Sequence, residues 1–276
     1  MTLRTGGLTV IAAAVVFLAL IARRPGMIRA GDDELKHAEA ATQVPHAGST
    51  PVLVELFTSE GCSSCPPADS LLSRLGRVQR VPGAEIIVLE EHVDYWDRLG
   101  WKDPFSSAAM SARQSEYGAA LGGREIYTPQ MIVDGRTEFV GSDEGDALRA
   151  IRAASATPKP AVHLAWAGDD ALAIQVEPLT NGTRGEAPQV YLAVAESMLH
   201  SDVKRGENAG RGLEHDGVVR QLIAVGKTET GSTGFSSTVP VRGASEWKRA
   251  NLRAIVFVQE PHSRRVLAAA AIPFPT

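Results

Sequence analysis

The spacing of apolar positions changes character three times along this 276-residue chain. Leu8 to Ala22 is fifteen residues without a charge, and residues 31–50 are small and polar. From Val52 the pattern becomes that of a folded domain. Val52-Leu53-Val54-Glu55-Leu56-Phe57 reads as a buried strand, and Leu71, Leu72, Leu75 and Val78 fall at helical spacing over 66–79. A second strand is expected over 85–93 and a helix over 105–121, the latter from Phe105, Ala108, Ala109, Ala112, Ala119 and Leu121. Gln130–Val133 and Thr137–Val140 flank Asp134-Gly135, the signal of a hairpin, and 143–156 form a helix with an acidic cap. The order is β-α-β-α-β-β-α. Thr157-Pro158-Lys159-Pro160 then breaks it. Seven short strand-like runs follow (Ala161–Trp166, Ala171–Val176, Val190–Ser197, Val218–Val225, Gly234–Val241, Leu252–Gln259 and Val266–Ile272), separated by Gly, Asn and Asp turns. That patterning suggests an antiparallel sandwich.

The domain expectation follows: 1–30 a signal peptide or N-terminal anchor, 31–50 a linker, 51–157 an α/β domain, and 161–276 an all-β, sandwich-like domain. Fifteen apolar residues match a signal-peptide core and fall short of a membrane span. Arg23, Arg24 and Arg29 directly behind them favour an uncleaved anchor as the alternative. Either reading places the rest of the chain in the periplasm, outside the cell, or tethered to the outer side of the cytoplasmic membrane through residues 8–22. Disulfides persist there. Net charge is −4, and losing residues 1–30 with their four arginines makes it −8. With no basic block, nucleic acid is excluded as a partner.

Cys62-Ser63-Ser64-Cys65 holds the only two cysteines. The pair lies between the first strand and the first turn of a helix, where the helix dipole and free amides favour a thiolate. Cys62, nearer the open turn, is the expected nucleophile and Cys65 the resolving thiol. A zinc site needs two further ligands at fitting spacing, which the scattered histidines do not supply. A bridge across two residues constrains the unfolded chain little, so a stabilising staple explains the pair poorly. Copper(I) held by the two thiolates stays open as a separate reading. No cofactor and no resident metal is assigned.

Other polar clusters are ambiguous in sequence. Glu90, Glu91, His92 and Asp94 at the end of the second strand suit a hydrogen-bond network better than a metal site. Tyr95, Trp96, Trp101 and Lys102 suit a lip for a partner chain or a plug beneath the sheet. Lys204 to Asn208 and Glu214-His215-Asp216 suit a loop over the cysteines or an exposed hairpin, with the stretch from Asn208 to Asp216 as its contact with the active face.

The element order with CxxC after the first strand resembles the thioredoxin fold. In that fold a cis-proline faces the disulfide, which places Thr128-Pro129 beside Cys62 and Cys65. An acidic residue on the first strand there relays protons, which the resemblance carries to Glu55; an exposed strand carboxylate is the alternative. More closely, VELFTSEGCSSCPPAD, HVDYWDRLGWKDPF, YTPQMIVDG and GENAGRGLEHDGVVR resemble a family of exported bacterial proteins, domain of unknown function twelve-twenty-three, over about residues 51–274. That resemblance implies a thioredoxin-like domain followed by a β-rich one. It departs from thioredoxins in Ser63-Ser64 between the cysteines, Gly61 before them and Pro66-Pro67 after. The functional expectation is an exported thiol–disulfide oxidoreductase acting on protein or small-molecule thiols, with Cys62, Cys65, Thr128, Pro129 and Glu55 as its site. The alternative is a non-catalytic binding protein with a structural disulfide or a copper(I)-binding pair.

Overall fold

The computed structural model describes residues 48–122, 125–183, 187–228, 231 and 233–276. The segment read as signal peptide or anchor, and the linker up to residue 47, lie outside the described residues. Among the described residues, no helix is long and apolar enough to cross a membrane.

The first half follows the expected order: β1 (Thr50–Thr58), α1 (Pro66–Val78), β2 (Ala84–His92), α2 (Ala108–Ala120), β3 (Gln130–Val133), β4 (Thr137–Val140) and α3 (Glu144–Ser155). The helix ends have local causes. Pro66 and Pro67 occupy the first turn of α1, where missing N–H groups cost nothing. Ser107 caps α2 by accepting from the Met110 amide, and Asp143 caps α3 by accepting from that of Asp146. The buried face of α2 differs from the expected one. Met110, Arg113, Gln114 and Tyr117 point inward, while Ala108, Ala109, Ala112 and Ala119 are exposed. Alanine is a good helix former on any face, so its spacing marks the helix without marking its interior.

The second half contributes β5 (Val162–Trp166), β6 (Ala171–Val176), β7 (Gln189–Glu196), β8 (Leu199–Asp202), β9 (Gly212–His215), β10 (Val218–Lys227), β11 (Phe235–Pro240), β12 (Leu252–Gln259) and β13 (Val266–Pro273). The short β8–β9 hairpin carries no apolar run; it is the hairpin alternative for the polar segment, with His215 and Asp216 at its end buried rather than exposed.

The expected thioredoxin-like α/β domain followed by a separate all-β domain is not what forms. One mixed eight-stranded sheet runs β13-β12-β7-β10-β2-β1-β3-β4, and among the described residues three α-helices of 12 or 13 residues accompany it. The junction is β10 beside β2. Val218 pairs with Glu90 in parallel, and the Glu90 amide donates to the Gly217 carbonyl at 2.8 Å. Gly217 makes this approach possible: its φ is +78°, and a Cβ there would sit 3.1 Å from the Val88 carbonyl oxygen. A free edge on β2 would leave a row of unpaired backbone groups. Nothing in the local pattern of either half shows that the other half covers that edge.

One face of the sheet is covered by α1 and α3 near β1–β4, and by the three-stranded sheet β11-β6-β5 near β7, β12 and β13. On the opposite face, Leu53, Ile87 and Leu89 pack with Ala193, Ala195, Ile255, Phe257 and Ala269. The sheet curls enough for Val266 to donate to the Asp134 carbonyl at 2.9 Å, bringing β13 to the end of β3.

Candidate functional site

Alternation along β1 and β2 decides which side chains meet. Leu56 pairs with Glu90, Thr58 with His92, and both pairs face α1; Glu55 pairs with Leu89, Phe57 with Glu91, and both face α2. The loop from Thr58 to Cys62 carries the chain to the N-terminus of α1. There Cys62 and Cys65 form a disulfide with Cα atoms 5.5 Å apart. Cys65 is the N-cap residue, and its carbonyl accepts from the amides of Ala68 (2.8 Å) and Asp69 (3.1 Å). The Ser64 hydroxyl lies 3.3 Å from Cys62 Sγ. Pro66 and Pro67 take away two of the amides that commonly stabilise an anion at a helix start, leaving the dipole and this hydroxyl.

Both cysteines are 0 % exposed, although Ser63 and Ser64 between them are exposed. The cover comes from the loop joining β8 to β9. Asn208 Nδ2 donates to the carbonyls of Glu60 (2.8 Å) and Cys62 (2.9 Å), and Glu207 Oε2 accepts from the Ser63 amide (2.9 Å). The Arg211 guanidinium donates to Asn208 Oδ1 at 2.8 Å. Gly206, at φ +77°, turns the loop tightly over Trp101; a Cβ there would come within 3.2 Å of Trp101 Cβ. The hairpin is pinned to α1 through Asp216, which accepts from Ser73, from Arg77 at 2.5 Å and from the Met198 amide at 3.0 Å. The contact anticipated from Asn208 to Asp216 is therefore made at both ends.

The Thr128–Pro129 bond is cis. Trp96 connects it to the cysteine loop: its indole N–H donates to Thr128 Oγ1 at 2.8 Å, and its Cβ packs on Gly61, where an added Cβ would be 3.1 Å away. Pro129 lies beside the first turn of α1, since a Cβ on Gly141 would be 3.2 Å from both Pro129 Cβ and Ala68 Cβ.

Glu55 is fully buried, and its hydrogen-bond partners are Arg113 and Tyr117. Arg113 also reaches Glu91 (3.3 Å) and Gln259 (3.1 Å), with its guanidinium stacked near Tyr117, Tyr191 and Phe257. Burial drives the Glu91 carboxyl well above the usual carboxylate range, against the pull of Arg113. The buried carboxyl on the cysteine helix is instead Asp69, four residues after Cys65, bonded by the Thr58 hydroxyl at 2.6 Å. Burial first, and the Glu90 charge second, raise it to about 7. Its sequence signal was an acid set between Ala68 and Leu72 on the inward face of a helix.

Beneath the cysteine loop lies a second buried polar group. Glu60 Oε2 accepts from Trp101 Nε1 (2.7 Å), and the Glu60 amide donates to Asp103 Oδ2 (2.8 Å). His92 Nδ1 is 2.7 Å from Asp103 Oδ2, and His215 Nδ1 is 2.7 Å from Glu90 Oε1. Burial works against charge on His92, yet Asp103 and Glu90 outweigh it and lift the imidazole to about 10. For His215 burial is likewise overcome, by Glu90 and Glu60, and its pKa is raised. The Glu90 carboxyl is driven down to about 2 by the histidines despite burial. Glu90, His92 and His215 each present a possible ligand atom within 4.8 Å of one another. Asp94, grouped with them in sequence, turns away to Ser111. Asp103 and His215, separated in sequence from β2, had no local signal tying them to it.

A crystal structure of an Agrobacterium tumefaciens protein is 28 % identical, with a TM-score of 0.64 over 81 % of this chain and 94 % of that one. A domain of the outer membrane lipoprotein Omp28 from Porphyromonas gingivalis reaches 13 % identity and a TM-score of 0.24, over 42 % of this chain and 88 % of that one. No curated protein matches the chain. The sequence profile described as protein of unknown function (DUF1223) matches residues 53–259, and the chain belongs to that family.

Proposed function

We propose that this chain is an exported thiol–disulfide oxidoreductase that exchanges electrons between Cys62–Cys65 and the thiols of a protein or small molecule. The observation that carries this reading is the placement of the only two cysteines. They are bridged at the first turn of α1, under a loop gripped by a few polar contacts from Glu207 and Asn208. Such a loop can lift without disrupting an apolar core, because each hydrogen bond contributes only about 1 kcal/mol net. Export rests on the Leu8–Ala22 run and on the oxidising compartment a disulfide favours.

In the oxidising direction, a substrate thiolate attacks Cys62 Sγ. The Cys62–Cys65 bond breaks, its electron pair goes to Cys65, and that thiolate takes up a proton. The substrate's second thiolate then attacks the mixed disulfide, expelling Cys62 as thiolate and leaving an oxidised substrate and a reduced pair. Two electrons enter the protein and two substrate protons are released or transferred. Asp69, one turn from Cys65 with a carboxyl near neutral pKa, is suited to trading the Cys65 proton. In this reading Glu55 is a structural carboxylate. Trp96 ties Thr128 to the cysteine loop, and Pro129 lies beside the first turn of α1.

Complete burial of both cysteines supports a second reading, a closed structural bridge. One measurement separates the two. The oxidised protein is equilibrated with thiol buffers of graded potential and the thiols are counted. Reversible exchange with a potential above about −300 mV supports catalysis. A pair that resists reduction until the protein unfolds overturns it.

A further inference from the structure

The carboxylate of Glu207 sits on the peptide unit that joins Cys62 to Ser63, although 144 positions separate it from Ser63. Its Oε2 accepts from the Ser63 amide at 2.9 Å. Bonds from the Ser63 hydroxyl and amide hold the Glu207 carboxyl below the usual carboxylate range. Both residues are exposed. Other donors near the bridge are spent or missing. The Cys62 amide goes to the Ser59 carbonyl (3.1 Å) and the Cys65 amide to the Cys62 carbonyl (3.2 Å), while Pro66 and Pro67 have no N–H. Ser63 thus offers an outward N–H and O–H one residue from Cys62, and the chain fills them with a carboxylate of its own.

The loop that carries Glu207 is basic around it, in a chain whose net charge is −4. Lys204, Arg205 and Arg211 are exposed on the loop, and exposed Lys102 follows the Trp101 on which Gly206 packs. Lys204 stands 3.4 Å from Asp202, and Arg211 donates to Asn208 Oδ1. The side chains of Arg205 and Lys102 have no hydrogen bond or ion pair among the described residues. Cations grouped this way attract anions to the cysteine loop. Exchanging one carboxylate for another at Ser63 leaves no donor unmet, and it frees Glu207 to pair with Arg205 on its own loop. A thiol without a carboxylate has no such exchange to make.

We propose that the Ser63 amide and hydroxyl recognise a carboxylate of the substrate, that Glu207 occupies this site in the closed protein, and that the substrate is a small thiol with a carboxylate two or three carbons from its sulfur. The proposal rests on the thiol–disulfide reading of the cysteine pair. The substrate carboxylate displaces Glu207, which removes one contact of the covering loop and brings the thiolate to Cys62 Sγ. Its sulfur bonds to Cys62 as the Cys62–Cys65 bond breaks, the electron pair going to Cys65. A second thiolate then attacks the substrate sulfur, expels Cys62 as thiolate and leaves the substrate as its disulfide.

Two measurements on the full oxidised chain test it. In the first, propionate, which has no sulfur, is titrated into wild type and Glu207→Gln while the Ser63 amide is followed by NMR. A saturable shift is expected, about tenfold tighter in Glu207→Gln because the charged competitor is gone. In the second, reduction of the bridge by 3-mercaptopropionate, 2-mercaptoethanol and cysteamine is timed. Each rate is divided by that of the same thiol with 2-hydroxyethyl disulfide, which cancels intrinsic reactivity. The carboxylate thiol should lead cysteamine by about tenfold. The lead should shrink in about 1 M salt and in Lys204→Ser/Arg205→Ser. A Ser63 amide indifferent to propionate in Glu207→Gln, or normalised rates that ignore charge, overturns the proposal. A bridge that none of the three thiols reduces in the folded chain overturns the oxidoreductase reading and the substrate with it, whereas the propionate titration still decides the carboxylate site.

Discussion

Glu90 and Glu91 are consecutive on β2 and enter two different buried polar groups, one on each face of the sheet. On the α2 face, Glu91 and Glu55 share Arg113, a cation that cannot give up its charge. Tyr117 and Gln259 complete the contacts, and three aromatic rings surround the guanidinium. On the α1 face, Glu90 and Glu60 meet His92 and His215, whose positive charge depends on bound protons, with Asp103 on His92. The first group anchors α2 to the sheet through Arg113, and Glu91 Oε2 in it has no hydrogen-bond partner among the described residues. In the second, His92 Nε2 lies 3.5 Å from Glu90 Oε1 and His215 Nε2 lies 3.4 Å from Glu60 Oε1, and the group lies against the disulfide loop. Burial is the same in both, so the difference lies in the cation. A permanent guanidinium makes a structural brace, whereas imidazoles make a group that responds to its surroundings.

The contrast can be broken most decisively at Arg113. Arg113→Met strands Glu55 beside Glu91 without a cation, and about 3–5 kcal/mol of stability should be lost in denaturant unfolding. A loss below about 1 kcal/mol would mean that the brace is not structural. The two carboxylates it holds should differ next. Glu55→Gln loses charge-assisted bonds from Arg113 and Tyr117 and should cost about 2–3 kcal/mol. Glu91→Gln should cost less than about 1 kcal/mol, because burial already favours the neutral carboxyl there. Equal costs would refute the asymmetry.

On the other face, Asn208→Ala removes two hydrogen bonds that hold the loop over Cys62. At about 1 kcal/mol each, their loss should speed reduction of the disulfide by dithiothreitol roughly tenfold to thirtyfold. Unchanged reduction kinetics would show that the loop is not the barrier to the cysteines. A pH slope tests the same face. The Asp69 carboxyl is raised from 3.8 to about 7 on folding, so the folded chain holds this proton more tightly than the unfolded one. Its contribution to stability is therefore full below about pH 4 and is lost as pH rises through 7. Asp69→Asn keeps the neutral shape, and its melting temperature should decline less than that of the wild type between pH 4 and 7. Parallel profiles would place the titration elsewhere.

Much of the candidate site was legible along the chain because it is local. Cys62 and Cys65 sit in one turn. The hairpin segment from Asn208 to Asp216 stood out by its density of polar side chains. The local sequence leaves Glu55 open between relay and surface; its burial against Arg113, 58 positions away, comes only from the fold, because Arg113 reads as an ordinary charge on a helix. The same blindness hid the histidine group, since His215 lies 125 positions from Glu90.

By itself the sequence determined the elements: their order, most of their limits, the helix caps, the Asp134-Gly135 turn and the Cys pair at a helix start. These depend on φ/ψ preferences and side-chain periods within a few residues. Only the tertiary structure decided that β10 docks on β2, so that two patterned halves share one eight-stranded sheet. It also decided which buried charges received a permanent cation and which received histidines. Strand pairing across a hundred residues is selected by the total apolar surface removed from water and by backbone groups that must find partners, and no short window of sequence contains either quantity.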